Sequence, residues 1–548
     1  MSRSGTLTAP RGWLSGESRR DCAIIALAAA LVTLTVWPFQ NTPFIDDWVY
    51  AWSVENLLQD GRLLVPEYSN NVNIAQVVWG WLFCLPFGFS FIALRMSTWV
   101  LAVVSLCGLY LMLSDLGVPR RDALLGAATL GVHPIFAVLS VTFMTDVPFI
   151  SLTILASFAM VRALKARSLP WLVAASAMAS IAAGVRMVAV VTPVAMCVTL
   201  MATPDGWGRR NGRWAVALAP LAVFAGVLWW HQSHTFYSAD LAWIRDTNAD
   251  RISMLQFALP LLPRMLGETL ALLTGTVGLA LLPLSLACLR TSILRRTALY
   301  FAGLVLVLAG LYASGVKYPL PLKTGSTWAL NELSGTPLLV PHYSRPPVSG
   351  LVGWTALGVG AFSLAIAAAA ARTRGRQPGD QFLSLAAAGH FLLMAVIWLI
   401  NDRYALVLVP YAIALLLAAH PPINRRTAPA VLLLVLMVTV AGLTDHLRYN
   451  RALWSAVDTL RRSGIADRDI NGGYIVNGWL QYVHPEGAYR NVRGEIEIPW
   501  LNSVNQRPYE ISNAVVAGST VVEAFSYKRW LGPSGHIYVL QWDLEPVK

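Results

Sequence analysis

Two carboxylates stand side by side in Asn41-Thr-Pro-Phe-Ile-Asp-Asp-Trp-Val-Tyr50. A third, Asp146, lies in Phe143-Met-Thr-Asp-Val-Pro-Phe149. Two arginines sit between strongly apolar runs: Arg186 in Ala183-Gly-Val-Arg-Met-Val188, and Arg403 in Asn401-Asp-Arg-Tyr404. Adjacent carboxylates such as Asp46 and Asp47 raise each other's pKa, which suits a general base. Guanidinium groups match the oxygens of a phosphate bidentately. An ionisable group this close to hydrocarbon costs roughly 2.5–3.5 kcal/mol at the bilayer centre unless it is paired or faces a wet cavity. The set therefore suits a negatively charged, lipid-borne substrate and a hydroxyl nucleophile that gives up its proton to a carboxylate. Plainer roles compete for each residue. Asp46 or Asp47 can cap the helix that follows, Thr145 or Asp146 can cap another with Pro148 in its first turn, and Arg186 can snorkel. His133, beside Pro134, reads as a satisfied core histidine and not a ligand. No zinc-ligand spacing, P-loop or G-x-S-x-G elbow is present. The expectation is a site that requires no cofactor, with a divalent metal beside Asp146 left open. A missing nucleotide site fits an enzyme of the outer face.

These residues must be positioned by membrane helices. Of the 548 residues, 56% are hydrophobic and only 13% charged, and mean hydropathy is +0.55. Soluble chains carry about 25% charged residues. Apolar runs of roughly 20 residues recur, which predicts a polytopic α-helical membrane protein and excludes a β-barrel. About 13 spans are expected, in windows 22–39, 92–113, 122–140, 147–163, 169–185, 187–202, 214–231, 257–287, 297–314, 350–371, 382–400, 404–420 and 428–444. Pro134 should kink the third, and Pro260, Pro263 and Pro283 mark the long eighth window as kinked or partly a surface helix.

Basic residues fall in every second loop: the N-terminal tail, Arg120–Arg121, Arg162/Lys165/Arg167, Arg209/Arg210/Arg213, Arg290/Arg295/Arg296, Arg372/Arg374/Arg376 and Arg425/Arg426. This bias puts the N-terminus in the cytoplasm and the C-terminus outside, with both acidic sites and both arginines on the outer face. It also accounts for the net charge of +12, so the chain is not expected to bind nucleic acid. The membrane is expected to be a bacterial inner or plasma membrane, which the bias itself does not specify.

The expected organisation is a cytoplasmic tail (1–21), a transmembrane catalytic domain (22–444) and a small extracytoplasmic α/β domain (445–548). The first outer loop, 40–91, should hold a helix from Asp47 to Gln59, stopped by Gly61, and an interfacial helix around Val77 to Phe91 broken by Pro86 and Gly88. Further outer loops are 232–256 and 315–349. In the C-terminal segment a helix from Tyr449 to Arg462 precedes strand-like runs at Gly473–Val476, Asn513–Val516, Val521–Phe525 and Ile537–Gln541. That segment contains none of the five cysteines, so it must fold without a disulfide. No cleavable signal peptide is evident after Arg19–Arg20.

With these residues in place, the sequence resembles the polytopic GT-C glycosyltransferases, and among them glycosyltransferase family 39, the protein O-mannosyltransferase and aminoarabinose transferase relatives. Asp46, Asp47, Tyr50 and Gly61 stand where that family has an acidic pair, a Tyr and a helix end. Phe87-Gly-Phe-Ser-Phe-Ile-Ala-Leu-Arg95 matches its Phe-Gly-x-Ser-x-x-x-x-Arg stretch. Pro134, Asp146, Arg186, and Arg403 with Tyr404 and Pro410, match later family positions. Ile470-Asn-Gly-Gly-Tyr-Ile-Val-Asn-Gly-Trp479 resembles a Gly-Tyr-x-x-Asn-Gly pattern. Two departures stand out: the second acid is Asp, not Glu, and Asn70-Asn-Val-Asn-Ile-Ala-Gln76 replaces a Pro-Pro-Leu stretch.

The resemblance implies inverting transfer of a sugar from a polyprenyl-phosphate donor to a lipid, glycan or protein hydroxyl. It implies that Asp46 and Asp47 are catalytic, and that Tyr50, Asp146, Arg186, Arg403 and Tyr404 bind the donor and its phosphate. Membrane lipids are the other expected partners. The competing readings are a flippase or transporter of lipid-linked sugars, and a lipid-linked glycan ligase or polymerase.

Overall fold

The computed structural model describes residues 15–66, 69, 72–236, 262–314, 348–371, 377–396, 402–482 and 507–542. Most of the expected outer loops 232–256 and 315–349, the Arg372–Arg376 cluster and part of the Asn70–Gln76 stretch lie outside the described residues.

The chain is mostly helical. It opens with α1 (Gly16–Val36), α2 (Asp47–Gln59), α3 (Ile74–Cys84), α4 (Phe91–Asp115), α5 (Arg120–Gly131), α6 (Pro134–Ser140), α7 (Asp146–Ala166), α8 (Leu169–Ala183), α9 (Val191–Ala202) and α10 (Arg213–His234). After these come α11 (Leu262–Cys288), α12 (Leu294–Ala313), α13 (Val348–Ala370), α14 (Pro378–Val396), α15 (Asp402–Ala405), α16 (Leu408–Ala418) and α17 (Thr427–Arg462). Among the described residues eight helices are long and apolar enough to cross a membrane, and a ninth if α5 and α6 form one span. The protein is therefore an integral membrane protein. The sequence suggests 13 spans; by length and apolarity the described helices give eight or nine. The remaining windows fall on α1, whose first turns carry Glu17, Arg19, Arg20 and Asp21, and on shorter helices such as α8 and α16.

Local chemistry explains several boundaries. Pro134 cannot donate into the preceding turn, and α5 and α6 meet there at a bend of 69°. Beside it His133 is buried, as expected, but its Nδ1 makes no hydrogen bond among the described residues, so the satisfied core histidine expected there is found only in part. α2 ends at Gln59, just before Gly61, which adopts a φ of 65° that suits glycine. α3 ends before Pro86, and Ser90 caps α4 by accepting from the Ile92 amide at 3.2 Å. From Leu262 on, the eighth window is one 27-residue helix, α11, with Pro283 inside it, while 257–261, with Pro260, lie outside the described residues.

α17 is 36 residues long and runs unbroken through Thr444. Its first half is apolar. Its second half buries Leu453, Trp454, Val457 and Leu460 against a four-stranded sheet through Ile470, Ile511, Ile537 and Val539. The sheet comprises β3 (Ile470–Asn471), β4 (Tyr509–Ser512), β5 (Ser519–Tyr527) and β6 (Gly535–Trp542); β1 (Val65–Pro66) and β2 (Thr235–Phe236) form a separate small pair. The sheet order is β3-β4-β6-β5, parallel between β3 and β4 and antiparallel elsewhere. The expected strands near Val521–Phe525 and Ile537–Gln541 are present. Two others need correction. Gly473–Val476 lies in a short helix, α18 (Gly473–Asn477), because Asn477 folds back to accept from the Gly472 amide at 2.9 Å and to donate to Asn471 at 2.8 Å. Asn513–Val516 follows β4 as a turn, where the Ser512 hydroxyl accepts from the Ala514 amide.

Candidate active site

The loop joining α1 to α2 carries the acidic pair, and two helices hold it. From α4, Arg95 donates to the carbonyls of Gln40 and Thr42, and its guanidinium lies 3.5 Å from the Phe44 ring centroid. The Asn41 carboxamide oxygen accepts from the Phe91 amide at 2.8 Å. From α17, Arg451 donates to the Trp37 carbonyl at 2.7 Å, and Trp454 donates to the Pro43 carbonyl at 3.2 Å. The loop thus has its backbone carbonyls satisfied from both sides, which fixes where α2 begins.

The α2 helix itself is pinned from the C-terminal segment. Trp48 is fully buried, and Gly478 lies so close to its indole that a Cβ there would come within 2.4 Å. Next to it, Trp479 stacks on Phe89 with centroids 5.7 Å apart and meets Phe91 edge-on at 5.0 Å. Elsewhere the first loop is joined to the later ones. Ala75 N–H donates to the Gly184 carbonyl at 2.9 Å, and the Gln76 carboxamide donates to the Phe143 carbonyl at 2.8 Å.

This scaffold brings together residues far apart in sequence. Asp46 precedes α2 without capping it; its Oδ2 lies 3.0 Å from Nη2 of Arg403. Arg403 Nε lies 4.0 Å from Oδ2 of Asp146. Asp146 does not cap α7 either. Its Oδ1 accepts from Arg186 Nη1 at 2.6 Å. The result is one alternating series, Asp46–Arg403–Asp146–Arg186, all of it buried or nearly so. Tyr404 presents its ring to both guanidinium groups, 4.9 Å from that of Arg186 and 5.7 Å from that of Arg403. Tyr50 is buried on α2; burial first, and the Asp46 carboxylate next, push its phenol up to about 12. It stays a neutral O–H donor at any working pH.

Asp47 is not part of this series. It is fully buried and has other partners, accepting from the Phe44 amide at 2.7 Å and the Phe143 amide at 3.5 Å, with Arg95 Nη2 at 3.9 Å. Burial raises its pKa to about 7, against the opposing pull of Arg95. The two neighbouring acids thus have different surroundings: Asp46 meets a guanidinium, and Asp47 ties two loops together.

Sequence reasoning left three participants without a role. Asp402 is fully buried, accepts from the Arg403 amide at 2.8 Å, and is raised to about 7 by burial. Arg95 and Gly478 stood in the motifs, but spacing alone does not say that one clamps the acidic loop and the other admits Trp48. Several polar atoms of the centre have no hydrogen-bond partner among the described residues: Asp46 Oδ1, Asp146 Oδ2, and Arg403 Nε and Nη1. Among the described residues no group of three or more His, Cys, Asp or Glu side chains is arranged to hold a metal ion.

Residues 78–230 match a family of membrane glycosyltransferases. Its description is dolichyl-phosphate-mannose-protein mannosyltransferase. The matched stretch includes Arg95, Asp146 and Arg186. This is the class that the sequence resemblance named. No curated protein matches the chain. Among solved structures it is similar to ArnT from Cupriavidus metallidurans bound to undecaprenyl phosphate, at 11% identity and TM-score 0.46, covering 94% of this chain and 97% of that one. It is also similar to the S. cerevisiae protein O-mannosyltransferase Pmt1-Pmt2 complex bound to the sugar donor, at 15% identity and TM-score 0.33, covering 41% of this chain. The chain spans about a third, 35%, of that yeast chain's length. A third is the archaeal oligosaccharyltransferase AglB from Archaeoglobus fulgidus, at 12% identity and TM-score 0.39, covering 82% of this chain and 60% of that one.

Proposed function

We propose that this protein is an inverting glycosyltransferase. It moves a sugar from a polyprenyl-phosphate donor to an acceptor hydroxyl at the outer face of the membrane. The observation that carries the reading is the contact between Asp46 and Arg403 within the series that ends at Arg186. A carboxylate and two guanidinium groups share one buried centre. That is what removing a proton from a hydroxyl and releasing a phosphate require.

In this mechanism Asp46 takes the proton of the acceptor hydroxyl. The acceptor oxygen bonds to the anomeric carbon as the bond from that carbon to the phosphate oxygen breaks. The departing electron pair stays on the lipid phosphate, where Arg403 and Arg186 neutralise it. Arg403 has donors to give, since Nε and Nη1 make no hydrogen bond among the described residues. Because the leaving group is a phosphate, no second carboxylic acid is needed to protonate it, unlike a glycosidase acting on an alkoxide. Tyr404 fixes the planes of both guanidinium groups, and the Tyr50 hydroxyl is a neutral donor for the donor headgroup. Asp146 holds Arg186 and Arg403 in register. Asp47 acts on Asp46 through the backbone, by fixing the loop that carries it.

Support for the donor class comes from the family match, whose description names a polyprenyl-type phosphate sugar. The test is binding of undecaprenyl phosphate to the purified chain. Arg186→Gln and Arg403→Gln should each weaken it at least about tenfold, as loss of a charge-assisted phosphate contact does. Unchanged binding in both variants would overturn the assignment.

A further inference from the structure

A second basic site lies away from this centre, between the C-terminal half of α17 and the edge strand β5. It is an open cleft of about 590 Å³. One wall presents Arg448, Arg451 and Ser455; the other presents Ser526 and Lys528. Arg448 Nη1 reaches across to the Lys528 carbonyl at 3.2 Å, and Arg451 Nη2 holds the Trp37 carbonyl at 2.7 Å. The neighbouring acid, Asp445, is committed elsewhere: its two oxygens accept from the Trp530 and Leu531 amides at 2.7 and 2.9 Å. None of the three cations forms an ion pair with a carboxylate among the described residues. The Ser526 hydroxyl is shared with His536 Nδ1 at 3.1 Å, so the Ser455 hydroxyl and three cations with no carboxylate partner among the described residues are what the cleft offers, and these suit an anion with several oxygens.

The level of the cleft says where that anion comes from. The apolar run of α17 ends near Leu443, so Arg448 and Arg451 follow it by about 8 and 12 Å along the axis, within side-chain reach of the headgroup layer. Trp37 and Trp530, 57% and 60% exposed, flank the cleft with Leu531. Exposed tryptophans at such a level mark the membrane interface. Trp37 also follows α1, whose Leu27, Leu31 and Leu34 form an exposed apolar stripe. A phosphate seated in the cleft would have that stripe beside it for an acyl chain.

We propose that the cleft binds the phosphate headgroup of an anionic membrane lipid, independently of the Asp46–Arg403 centre. A zwitterionic lipid would bring its own cation against three fixed ones and bind more weakly.

The full chain is placed in nanodiscs of phosphatidylcholine doped with phosphatidylglycerol, and retained lipid is read by native mass spectrometry. Wild type should keep phosphatidylglycerol in preference to phosphatidylcholine. Arg448→Gln with Lys528→Gln should lose that preference by about tenfold or more, the effect of removing two interfacial charges. The charge-keeping swap, Arg448→Lys with Lys528→Arg, should behave as wild type. Inorganic phosphate alone should not displace the lipid. Equal retention by wild type and the glutamine pair would overturn the proposal. So would equal loss in the charge-keeping swap, which would make the cleft a structural joint, or displacement by inorganic phosphate, which would make it a site for a free ion.

Discussion

Asp46 stands at the N-cap of α2, yet its carboxylate makes no cap; it meets Nη2 of Arg403 at 3.0 Å, across 357 residues of sequence. An exposed cap and a paired carboxylate differ in what they cost. A cap is satisfied by its own helix, while this carboxylate depends on α15 being held against α2. The proposed chemistry rests on that long-range contact, and so do the outcomes below.

Asp146 and Arg186 form a buried pair at 2.6 Å. Removing Asp146 leaves Arg186 buried without its carboxylate, which costs about 3–5 kcal/mol, whereas removing Arg186 leaves Asp146 with only the longer contact to Arg403 at 4.0 Å and should cost less. Asp146→Asn and Arg186→Gln should each lower the apparent melting temperature in detergent. The double variant should recover part of the loss. Single variants as stable as wild type would contradict a buried, interdependent pair.

Gly478 admits the Trp48 indole. Gly478→Ala should force the two apart, lower thermal stability by about 1–3 kcal/mol and reduce transfer, as overpacking does. Adding Trp48→Phe should restore much of both. Intact stability and transfer in Gly478→Ala would show that this contact does not position α2.

Arg95 satisfies two carbonyls of the acidic loop with one planar fork. A lysine is a point charge and does not reproduce the fork. Arg95→Lys should speed limited proteolysis within 37–46 and lower the transfer rate, with donor binding retained. Unchanged proteolysis would place the anchoring of the loop elsewhere.

Asp47 gives a pH signature. Its pKa is raised to about 7 in the folded protein, against about 3.9 in the unfolded chain. Between those values the folded state holds a proton that the unfolded state has lost. The resulting stabilisation is complete below about pH 4, declines as pH rises, and is gone above about pH 7. Asp402 adds a parallel contribution, being raised to about 7 as well. In Asp47→Asn the melting temperature should fall less steeply over this range than in wild type. Identical slopes would mean that Asp47 is ionised throughout.

Much of the architecture was legible in the sequence because membrane helices announce themselves by length and apolarity. The break at Pro134 and the extent of α2 follow from proline and glycine chemistry acting locally. The candidate residues were legible too, since Asp46, Asp146, Arg186 and Arg403 are ionisable groups beside apolar runs. Their pairing was not. Capping and pairing look alike in sequence, and only the tertiary packing of α2, α7 and α15 separates them. The distinction between Asp46 and Asp47 also needed packing, because neighbouring residues at a helix start point in different directions. In the C-terminal segment, Gly473–Val476 has the composition of a strand. A helix forms there instead because Asn471 and Asn477 bond across the turn.

The most direct test of the central claim is mass spectrometry of envelope lipids, glycans and glycoproteins from cells that lack the gene and carry it back as wild type or as Asp46→Asn. One sugar modification should disappear in the null cells, return with wild type, and stay absent with Asp46→Asn although that protein accumulates in the membrane and still binds undecaprenyl phosphate. Return of the modification with Asp46→Asn would contradict the assignment of this carboxylate as the base.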